Sequence, residues 1–454
     1  MGHIYISAAH KSSGKTSLSI ALCAALTRRG LRVQPFKKGP DYIDPLWLTQ
    51  AAGRSCYNLD YYTMERDEID QTFARAMQDA DVGLIEGNKG LYDGLDLDGS
   101  NSNAALAAQL DSPVVLVLDT QGMTRGVAPL ILGYQAFDPA IRIGGVILNK
   151  VGGARHEAKL RRVIEHYTEV PVLGAVHRHP DMHITERHLG LVPSNELASS
   201  AGQIQAMAEH VAREVDLEAL LALADSAGPV PGLAEVPMPA TGRPRRVRVA
   251  YARDQAFGFY YTSDLEAFER AGAELVPFSP LQDTELPEAD GLLLGGGFPE
   301  THLETLAANR AMAAAIRRFV EGGGPAYAEC GGLMYLCRSL TWGAKQGKMG
   351  GIIPADVVMH ERPQGRGYVR LMETEHHPWP LGGEIAAHEF HYSALENVAP
   401  EVAFAYRVVR GHGIDGKHDG IRFRNLLASY THQRDTRRNH WVARFVDFIR
   451  ECRA

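Results

Sequence analysis

Short apolar runs alternate with amphipathic stretches over the first 176 residues of the chain. We predict strands at 4–8, 32–36, 82–86, 114–119, 145–148 and 172–175, with helices between them, for example at 16–29 and 103–110. Most of the strand runs are apolar at nearly every position, as expected for parallel strands that are covered on both faces. The alternation of strand and helix predicts a doubly wound α/β sheet.

A second alternating series begins near residue 247. It predicts strands at 247–251, 275–278, 291–294 and 326–328, followed by a β-rich half. Between the two series, residues 225–246 are rich in proline and glycine, which is typical of a linker. We therefore predict two doubly wound α/β domains, at 1–224 and 247–454, joined by a linker at 225–246.

The first predicted strand leads into the sequence AHKSSGKT at residues 9–16, and a helix follows. This is P-loop spacing, with Ala9 in the place of the usual first glycine. Such a loop directs backbone N–H groups at phosphates, and the helix N-terminus adds partial positive charge. We predict an ATP site in which Lys15 reaches the β- and γ-phosphates and the Thr16 hydroxyl ligates Mg²⁺. The residues expected to contact phosphate are Ser12, Ser13, Gly14, Lys15 and Thr16.

Two acidic segments, at 36–45 and 86–94, follow the second and third predicted strands. Both therefore lie at carboxyl ends of strands, where open α/β sheets bind ligands. Mg²⁺ prefers oxygen ligands, so we predict Asp41 and Glu86 as ligands beside Thr16. Lys37 is expected to neutralise charge on a transferring phosphoryl group.

Two later strand ends carry further polar side chains. Asp119 ends the run VVLVLDT and resembles the acidic residue of a Walker B motif. Asn149 ends GGVILNK, where a side chain that reads the nucleotide base is expected. Both are predicted to face the ATP site.

In the second series, an apolar strand leads into Cys330, two glycines and an apolar helix start, in AYAECGGLMY. This is the pattern of a nucleophile elbow, in which small residues permit a sharp turn that presents the side chain at a helix N-terminus. That position favours the reactive thiolate. The upstream sequence LGGGFPE also follows a strand. Backbone N–H groups of Gly296, Gly297 and Gly331 are predicted to form an oxyanion hole.

A nucleophilic thiol needs a base. The sequence offers His388 and His391 in AHEFHYS and His432 in ASYTH, and spacing alone does not rank them. The other four cysteines are expected to be small buried residues without chemistry, since free Cys is usually a core residue. These are Cys23, Cys56, Cys337 and Cys452.

Composition excludes several classes of protein. With 45% hydrophobic and 22% charged residues in a chain of 454, disorder is excluded and two or three domains are expected. A formal net charge of −7 gives no general affinity for nucleic acid or anionic membranes. Apolar runs are too short for a membrane span, and the cysteines form no disulfide framework. We expect a cytoplasmic protein with neither nucleic acid nor a membrane among its partners.

Taken together, these residues resemble the cobyrinic acid a,c-diamide synthase family, in which an ATPase similar to dethiobiotin synthetase is fused to a class I glutamine amidotransferase domain of the triad type. The resemblance covers nearly the whole chain. It depends on a combination of stretches that is far more specific than a P-loop alone. They are FKKGPDYIDP, EGNKGLYDG, RHLGLVP, ARDQAFGFYY, GGGFPE, AECGGLMYL, HEFHYS and ASYTH.

The resemblance implies a role for each matching position. Cys330 would be the glutaminase nucleophile and His432 its base. Substrate carboxylate and acyl-phosphate chemistry would fall to Asp41, Tyr42, Glu86 and Asp93. Lys15 and Thr16 would hold phosphate and Mg²⁺, beside Lys37 and Asn149, which are predicted at the ATP site from their positions at strand ends.

The chain departs from the family pattern in three places. Many class I amidotransferases carry a Glu two residues after the catalytic His, whereas this position is Arg434. The phosphate loop has His10 and Lys11 where small residues are usual. The stretch ETEHHP at 373–378 matches nothing in the family pattern, and we expect a surface loop there.

The implied function is ATP- and glutamine-dependent amidation of the a and c acetate groups of cobyrinic or hydrogenobyrinic acid through an acyl phosphate. ATP is the co-substrate and Mg²⁺ the cofactor, and a homodimer is plausible. One alternative is the same reaction on a sirohydrochlorin-type substrate, either Ni-sirohydrochlorin or sirohaem. A more remote alternative is a nucleotide-switched ATPase with a regulatory amidotransferase-like module, which would have no glutaminase activity.

Overall fold

The computed structural model describes residues 1–187, 190–197, 199–232, 246–380 and 382–453. The chain divides into two compact units. Unit 1 comprises the described residues of Met1–Tyr61 and Glu65–Pro237, and unit 2 those of Tyr62–Met64 and Met238–Ala454. The predicted linker at 225–246 falls largely on residues 233–245, which lie outside the described residues, so the linker and its bounds stay a prediction. The same holds for His188 and Leu189 of the RHLGLVP stretch.

Unit 1 is built on a parallel sheet. Its strands are β1 (Gly2–Ala8), β2 (Val33–Lys38), β3 (Tyr57–Leu59), β4 (Val82–Glu86), β5 (Val114–Asp119), β6 (Ile143–Val151), β7 (Val172–His177), and the short hairpin pair β8 (Glu186–Arg187) and β9 (Gly190–Leu191). Its helices are α1 (Lys15–Arg28), α2 (Ile43–Ala52), α3 (Arg66–Met77), α4 (Asn103–Gln109), α5 (Val127–Phe137), α6 (Ala154–Tyr167), α7 (Ser200–Glu214) and α8 (Leu217–Asp225). Single 3-10 turns lie at Pro180–Met182 and Ser194–Glu196.

The described strands of unit 1, apart from the β8–β9 hairpin, form one sheet in the order β3-β2-β4-β1-β5-β6-β7. Every pairing in it is parallel. All residues of β1, β2 and β4 are buried, and β1 and β4 are accordingly apolar at most positions, whereas β2 also buries Gln34, Lys37 and Lys38. Helix α1 is buried around most of its circumference because it packs against both α2 and α7. The predicted doubly wound domain is confirmed, and each predicted strand is observed with a difference at most in its ends, whereas β3, β8 and β9 were not predicted.

Unit 2 adds a long antiparallel extension to a parallel sheet. Its strands are β10 (Val247–Ala252), β11 (Phe257–Phe259), β12 (Ala273–Phe278), β13 (Gly291–Leu294), β14 (Gly296–Gly297), β15 (Ala326–Glu329), β16 (Cys337–Trp342), β17 (Lys345–Lys348), β18 (Ile353–Met359), β19 (Gly365–Glu373), β20 (Glu384–His391), β21 (Ser393–Glu396), β22 (Ala403–Arg410), β23 (His418–Phe423) and β24 (Leu426–Ser429). Its helices are α9 (Thr262–Arg270), α10 (Leu303–Ala308), α11 (Arg310–Glu321), α12 (Gly331–Leu336) and α13 (Trp441–Cys452), with a 3-10 turn at Pro299–His302.

The large sheet of unit 2 has the order β12-β10-β13-β15-β24-β23-β22-β19-β20 among the described residues. Pairing is parallel from β12 to β24 and antiparallel from β24 to β20. Side chains alternate between the two faces, as the twofold period of a strand requires. Leu292 and Leu294 join one apolar cluster, and Leu293 joins the cluster on the other face. Because both faces of this sheet are covered, side chains that bind or react with ligands must lie at the ends of the strands.

Candidate active sites

The phosphate loop, residues 9–14, connects β1 to α1 and depends on two residues of positive φ. Ser12 has φ +66° and Gly14 has φ +88°. Gly14 lies so close to β6 that a Cβ on it would be 2.2 Å from Asn149 Nδ2. The same Nδ2 donates a 2.8 Å hydrogen bond to the carbonyl of Ser13. Asn149, predicted to read the base, therefore also fixes the shape of the loop.

Two more side chains hold this loop by its backbone. Lys150 Nζ donates to the carbonyl of Ser12 at 3.0 Å and pairs with Asp119 at 2.8 Å. The Tyr134 hydroxyl on α5 donates to the carbonyl of Ala9 at 2.6 Å. The carboxyl ends of β5 and β6 thus meet the loop, as the sequence predicts for Asp119.

Lys15 and Thr16 begin α1, whose first turn contains no acidic residue. Burial lowers the pKa of Lys15 to about 8, against the opposing effect of the Glu86 carboxylate. The Thr16 hydroxyl lies 2.6 Å from Glu86 Oε1 and 3.2 Å from Asp44 Oδ2. A cation, a hydroxyl and two carboxylates therefore meet at the helix N-terminus, where anionic phosphate is favoured.

Lys37 lies among three acidic side chains, Asp41, Asp44 and Glu86, which we call the carboxylate cluster. Its Nζ is 2.9 Å from Glu86 Oε1 and 3.7 Å from Asp41 Oδ2, and it donates a short hydrogen bond to Asp44. Burial would lower the pKa of Lys37, but the carboxylate cluster outweighs it and raises the pKa well above the usual range. For Glu86, burial has the opposite effect and raises the pKa of the carboxyl group, while the charge of Lys37 acts to lower it. The cluster and Lys37 compensate one another's charge.

The remaining predicted residues of unit 1 lie around this cluster. Tyr42 is buried at the start of α2. Asp93 is exposed and accepts a 2.9 Å hydrogen bond from the N–H of Gly90. Its segment is fixed to β1, because the N–H of Leu91 donates to the carbonyl of Ala8. Asp93 also raises the pKa of Lys15, so its charge acts on the phosphate site.

The donors present fit Mg²⁺. Glu86 Oε2 is buried and has no hydrogen-bond partner, while Glu86 Oε1 faces the Thr16 hydroxyl. Within the described ranges no group of three or more His, Cys, Asp or Glu side chains is arranged to hold a metal by itself. This agrees with the chemistry of Mg²⁺, which keeps several waters and needs only one or two carboxylates beside phosphate oxygens.

In unit 2, Cys330 stands between β15 and α12 in a strained conformation. Its φ is +45° and its ψ −101°, in a region that residues with a side chain rarely adopt. The turn is anchored because the N–H of Cys330 donates to the carbonyl of Ser429 at 2.8 Å. The side chain is almost fully buried. This is the geometry of the predicted nucleophile elbow.

His432 is positioned by two neighbouring strands. Asp419 on β23 accepts hydrogen bonds from the N–H groups of Tyr430 and Thr431, at 3.0 Å each. His388 on β20 then exchanges two backbone hydrogen bonds with His432, and the two imidazole rings stack with centroids 5.0 Å apart. The backbone around His432 is therefore fixed on both sides.

His432 is linked to Cys330 by its titration. Burial alone would lower the pKa of His432, but hydrogen bonds to Cys330 and Glu329 outweigh burial and raise it to about 10. An imidazolium beside a sulfur is the arrangement that activates a thiol nucleophile.

The other two predicted bases are placed differently. Burial and the proximity of His432 lower the pKa of His388 well below the usual range, and its Nδ1 lies 3.2 Å from the Tyr261 hydroxyl. His391 stacks on Tyr430 and bonds through Nδ1 to the carbonyl of Ser393. Of the three histidines, His432 is the one whose hydrogen bond to Cys330 shifts its pKa.

The predicted oxyanion-hole glycines come together at Cys330. A Cβ on Gly331 would lie 2.9 Å from the backbone nitrogen of Gly297, and one on Gly296 would lie 2.6 Å from His432 Cε1. Gly297 has φ +157°, and a Cβ there would lie 2.0 Å from the carbonyl oxygen of Ala256. Glycine is thus required for the backbone to approach the nucleophile and the base so closely.

Comparison with known proteins identifies a matching family for each part of the chain. Residues 6–192 match the model of the CobQ/CobB/MinD/ParA nucleotide binding domain, and residues 248–439 match that of the CobB/CobQ-like glutamine amidotransferase domain. A cobyrinate a,c-diamide synthase of Magnetococcus marinus is 48% identical over 99% of this chain and 97% of its own. Those of Methanosarcina acetivorans and Methanothermobacter thermautotrophicus are 39% and 40% identical, covering 94% and 92% of this chain and 91% and 93% of theirs.

The chain belongs to the cobyrinate a,c-diamide synthase family. As a member of that family it is an amido-transferring ligase with an ATP-binding domain and a glutamine amidotransferase domain. The predicted fold class is confirmed for both domains. Among the described helices, none is long and apolar enough to cross a membrane. The cytoplasmic location stays a prediction.

Two residues of this cobyrinate a,c-diamide synthase family member were missed by sequence reasoning. Asp44 lies three residues after Asp41, in the first turn of α2, and contacts both Thr16 and Lys37. Glu329 immediately precedes Cys330, and its Oε2 lies 3.3 Å from His432 Nδ1. Asp44 had a signal, since it stands in the diagnostic stretch FKKGPDYIDP. Glu329 had only its position next to the nucleophile.

The expectation of a surface loop at 373–378 is wrong at both ends of the stretch. Glu373 ends β19 and pairs with Arg444 at 2.8 Å, with its side chain buried. His377 is also buried and bonds to the Tyr406 hydroxyl at 3.0 Å. Glu375 and His376 are exposed. This charged stretch was expected to be exposed, but buried polar contacts anchor it to unit 2.

Proposed function

We propose that this protein amidates the a and c acetate carboxylates of cobyrinic or hydrogenobyrinic acid, with glutamine as the nitrogen donor and ATP as the energy source. The observation that carries the proposal is the Cys330–His432 pair. It gives a chain that already has a phosphate loop its own source of ammonia. The substrate is taken from the names of the relatives, which cover nearly the whole chain.

The glutamine half of the reaction uses unit 2. His432 takes the proton of Cys330, and the sulfur attacks the side-chain amide carbon of glutamine. The oxygen of the tetrahedral intermediate receives hydrogen bonds from backbone N–H groups of Gly296, Gly297 and Gly331. The carbon–nitrogen bond breaks, and His432 returns the proton to the departing nitrogen, which leaves as ammonia. Water then attacks the thioester, the carbon–sulfur bond breaks, and glutamate and the free thiol are released.

The ATP half uses unit 1. A substrate carboxylate oxygen attacks the γ-phosphorus of ATP, the bond to the β-phosphate oxygen breaks, and ADP and an acyl phosphate form. Ammonia then attacks the acyl carbon and phosphate leaves, because phosphorylation has made the carboxylate oxygen a good leaving group. Lys15 and the loop residues Ser12, Ser13 and Gly14 hold the phosphates, and Lys37 offsets negative charge on the transferred group.

The residues that would hold Mg²⁺ are Thr16, Glu86 and Asp41, and we add Asp44 because it contacts Thr16 and Lys37. When bound, the ion supplies positive charge that neutralises the phosphate oxygens. Tyr42 and Asp93 are proposed to face the substrate carboxylate from the two loops that flank the carboxylate cluster. The homodimer stays a prediction, which sedimentation of the full chain tests.

The test is turnover on a panel of tetrapyrroles, read by mass spectrometry, with either glutamine or ammonium as the nitrogen source. The panel contains cobyrinic acid, hydrogenobyrinic acid and sirohydrochlorin derivatives. Wild type is compared with Cys330→Ala. We expect carboxyl-to-carboxamide conversion on the cobyrinic substrates, lost in the variant with glutamine and retained with ammonium.

Each other outcome changes a different part of the proposal. Amidation of the sirohydrochlorin derivatives alone would reassign the substrate and keep the chemistry. Glutamine-dependent amidation by Cys330→Ala would remove the nucleophile. ATP hydrolysis without amidation of any macrocycle, and without glutamine hydrolysis, would favour the nucleotide-switched ATPase.

A further inference from the structure

We propose that Glu329 is the third member of the nucleophile–base–acid arrangement in unit 2, a positioning residue that orients His432 toward Cys330. This inference rests on the proposed glutaminase chemistry of Cys330 and His432. It supplies the acidic partner that the sequence lacks at the usual place, since Arg434 stands two residues after His432.

Glu329 is held so that one of its two oxygens faces the imidazole. Its Oε1 accepts hydrogen bonds from the Tyr327 hydroxyl at 2.7 Å and from the N–H of Gln433 at 2.8 Å. Its Oε2 lies 3.3 Å from His432 Nδ1. Gln433 in turn donates through Nε2 to the Tyr327 hydroxyl at 2.9 Å. The carboxylate is therefore locked by groups on both β15 and the segment that carries His432.

The backbone makes this position suitable for the task. Glu329 ends β15 in parallel register with Ser429 on β24, three residues before His432. The adjacent residue is the nucleophile itself, and the strained turn at Cys330 redirects the chain there. The nucleophile and the acid thus come from consecutive residues, and the base reaches them from the neighbouring strand.

Arg434 is placed too differently to serve as the acid's substitute. Its guanidinium lies 5.0 Å from the centre of the Tyr261 ring. The groups that raise the pKa of His432 are Cys330 and Glu329, the imidazole of His388 stacks on its ring, and Glu329 is the carboxylate of this set. Glu329 is thus the group that stabilises the imidazolium on the side away from the sulfur.

The chemical consequence concerns the tautomer of His432. A carboxylate at Nδ1 accepts the Nδ1 proton, so the neutral imidazole keeps its lone pair on Nε2. That nitrogen is then free to take the proton of the Cys330 thiol and later to give it to the departing ammonia. Without the carboxylate, His432 can adopt the other tautomer, in which Nε2 carries the proton. Nε2 then cannot accept the proton of Cys330, even when every heavy atom stays in place.

The decisive variant is Glu329→Gln, which is nearly isosteric. Its amide oxygen keeps the bonds from Tyr327 and Gln433, and its NH₂ group faces His432 Nδ1. We expect glutamine hydrolysis to lose about 10²- to 10⁴-fold in kcat with little change in KM, by analogy with the amide substitution in a serine-protease triad. The pH profile for iodoacetamide alkylation of Cys330 is expected to move to higher pH, a readout that loss of stability would not move.

Glu389→Gln is the matched control, because Glu389 is also buried and accepts backbone N–H bonds from His412 and Gly413. It is expected to keep the alkylation profile of wild type. Glu329→Asp is expected to recover part of the activity lost in Glu329→Gln. If Glu329→Gln does not fold, Tyr327→Phe removes one donor to the same carboxylate, and a smaller shift of the profile in the same direction is expected.

The experiment separates this inference from the proposed function. Unchanged ammonium-dependent amidation shows that the Glu329→Gln protein is folded. If that variant also retains wild-type glutamine hydrolysis and alkylation, while Cys330→Ala abolishes glutamine hydrolysis, then Glu329 has no positioning role and the proposed function stands. If Cys330→Ala retains glutamine hydrolysis, the proposed function fails and this inference fails with it.

Discussion

The two candidate sites lie at carboxyl ends of parallel strands, yet they are held in opposite ways. In unit 1, Lys37 is surrounded by the carboxylate cluster, and side-chain charges balance one another. In unit 2, the strained turn at Cys330 and the closely approaching Gly296 and Gly297 fix the nucleophile through the backbone. The first site is polarised for large charged ligands, whereas the second is shaped around one atom.

This difference follows from the chemistry of the two half-reactions. Phosphoryl transfer is mostly positioning and charge neutralisation, so a set of charged side chains serves it. Thiol attack needs a nucleophile, a base and an oxyanion site within hydrogen-bond distance, so rigid backbone serves it better. We therefore expect unit 1 to be sensitive to changes of charge and unit 2 to added volume.

The largest effect is expected from Lys15→Ala. This variant removes the cation that begins α1, and amidation with either nitrogen source is expected to fall by about 10³-fold, as for loss of a main electrostatic contact. Alkylation of Cys330 by iodoacetamide, followed by peptide mass mapping, is expected to be unchanged.

Lys159→Ala on α6 provides the control, since Lys159 is an exposed lysine of the same unit. It is expected to retain wild-type turnover. Equal loss of ammonium-dependent and glutamine-dependent turnover marks unit 1, so a Lys15→Ala protein that lost only the glutamine-dependent rate would contradict the assignment of the two sites.

Gly296→Ala is expected to have the next largest effect, and on unit 2 alone. The added methyl group would lie 2.6 Å from His432 Cε1, so the imidazole must move. A displacement of this kind costs about 10²-fold in rate, and we expect that loss in glutamine-dependent turnover. Ammonium-dependent turnover should stay at the wild-type level. Gly133→Ala on α5, where no atom beyond the neighbouring residues and the backbone of the helix itself lies within 4 Å of the new methyl group, is the control.

The sequence predicts the parts of both sites that neighbouring residues build. The phosphate loop and the elbow at Cys330 are local turns, and the residues 82–86, 114–119 and 291–294 form strands with the predicted bounds. It does not predict the partners of His432. His388 meets it through an antiparallel bridge across 44 positions, and Glu329 through the register of β15 and β24. Register between distant strands is a property of the folded sheet.

Burial of charged residues is the second thing that sequence reasoning missed. Two histidines and two glutamates between 373 and 378 are typical of a solvated loop, yet His377 is buried. Its side chain bonds to the hydroxyl of Tyr406, which lies 29 positions further along the chain. Its ring also packs against Trp379, which nothing in the sequence marks as a partner. Polar side chains go inside when distant residues provide partners, and one sequence does not show those partners.

His377 gives a third prediction, which concerns the pH dependence of unit 2. Burial lowers the pKa of His377 to about 4, with Glu373 opposing and Arg444 reinforcing the shift. Because the pKa is lower in the folded state, the unfolded chain binds the proton at a higher pH than the folded protein does. The free energy of unfolding therefore falls as pH drops below about 6.5. Between pH 7 and pH 5 this one group is expected to cost about 2 kcal/mol.

The measurement is urea unfolding at both pH values for wild type and His377→Gln. The glutamine does not titrate, so the variant should lose less stability than wild type on acidification. Taking the difference between the two proteins removes the opposite contribution of Asp264, whose pKa burial raises to about 8. His376→Gln, at an exposed neighbour, should show the wild-type pH dependence. Identical slopes for wild type and His377→Gln would place the acid response elsewhere.

The smallest effect is expected at a point where a side chain of unit 1 holds the backbone of the phosphate loop. Tyr134→Phe removes the hydroxyl that donates to the carbonyl of Ala9 at the start of the phosphate loop. A neutral hydrogen bond contributes about 1 kcal/mol, so we expect the KM for ATP to rise about fivefold while kcat is retained. Tyr92→Phe is the matched control, because the Tyr92 hydroxyl donates over the same 2.6 Å to a helix carbonyl at Tyr134. An equal rise in both variants would mean that α5, and not the loop, responds. A fall in kcat for Tyr134→Phe would mean that the phosphate loop is as rigid as the elbow at Cys330, and the contrast between the two sites would not hold.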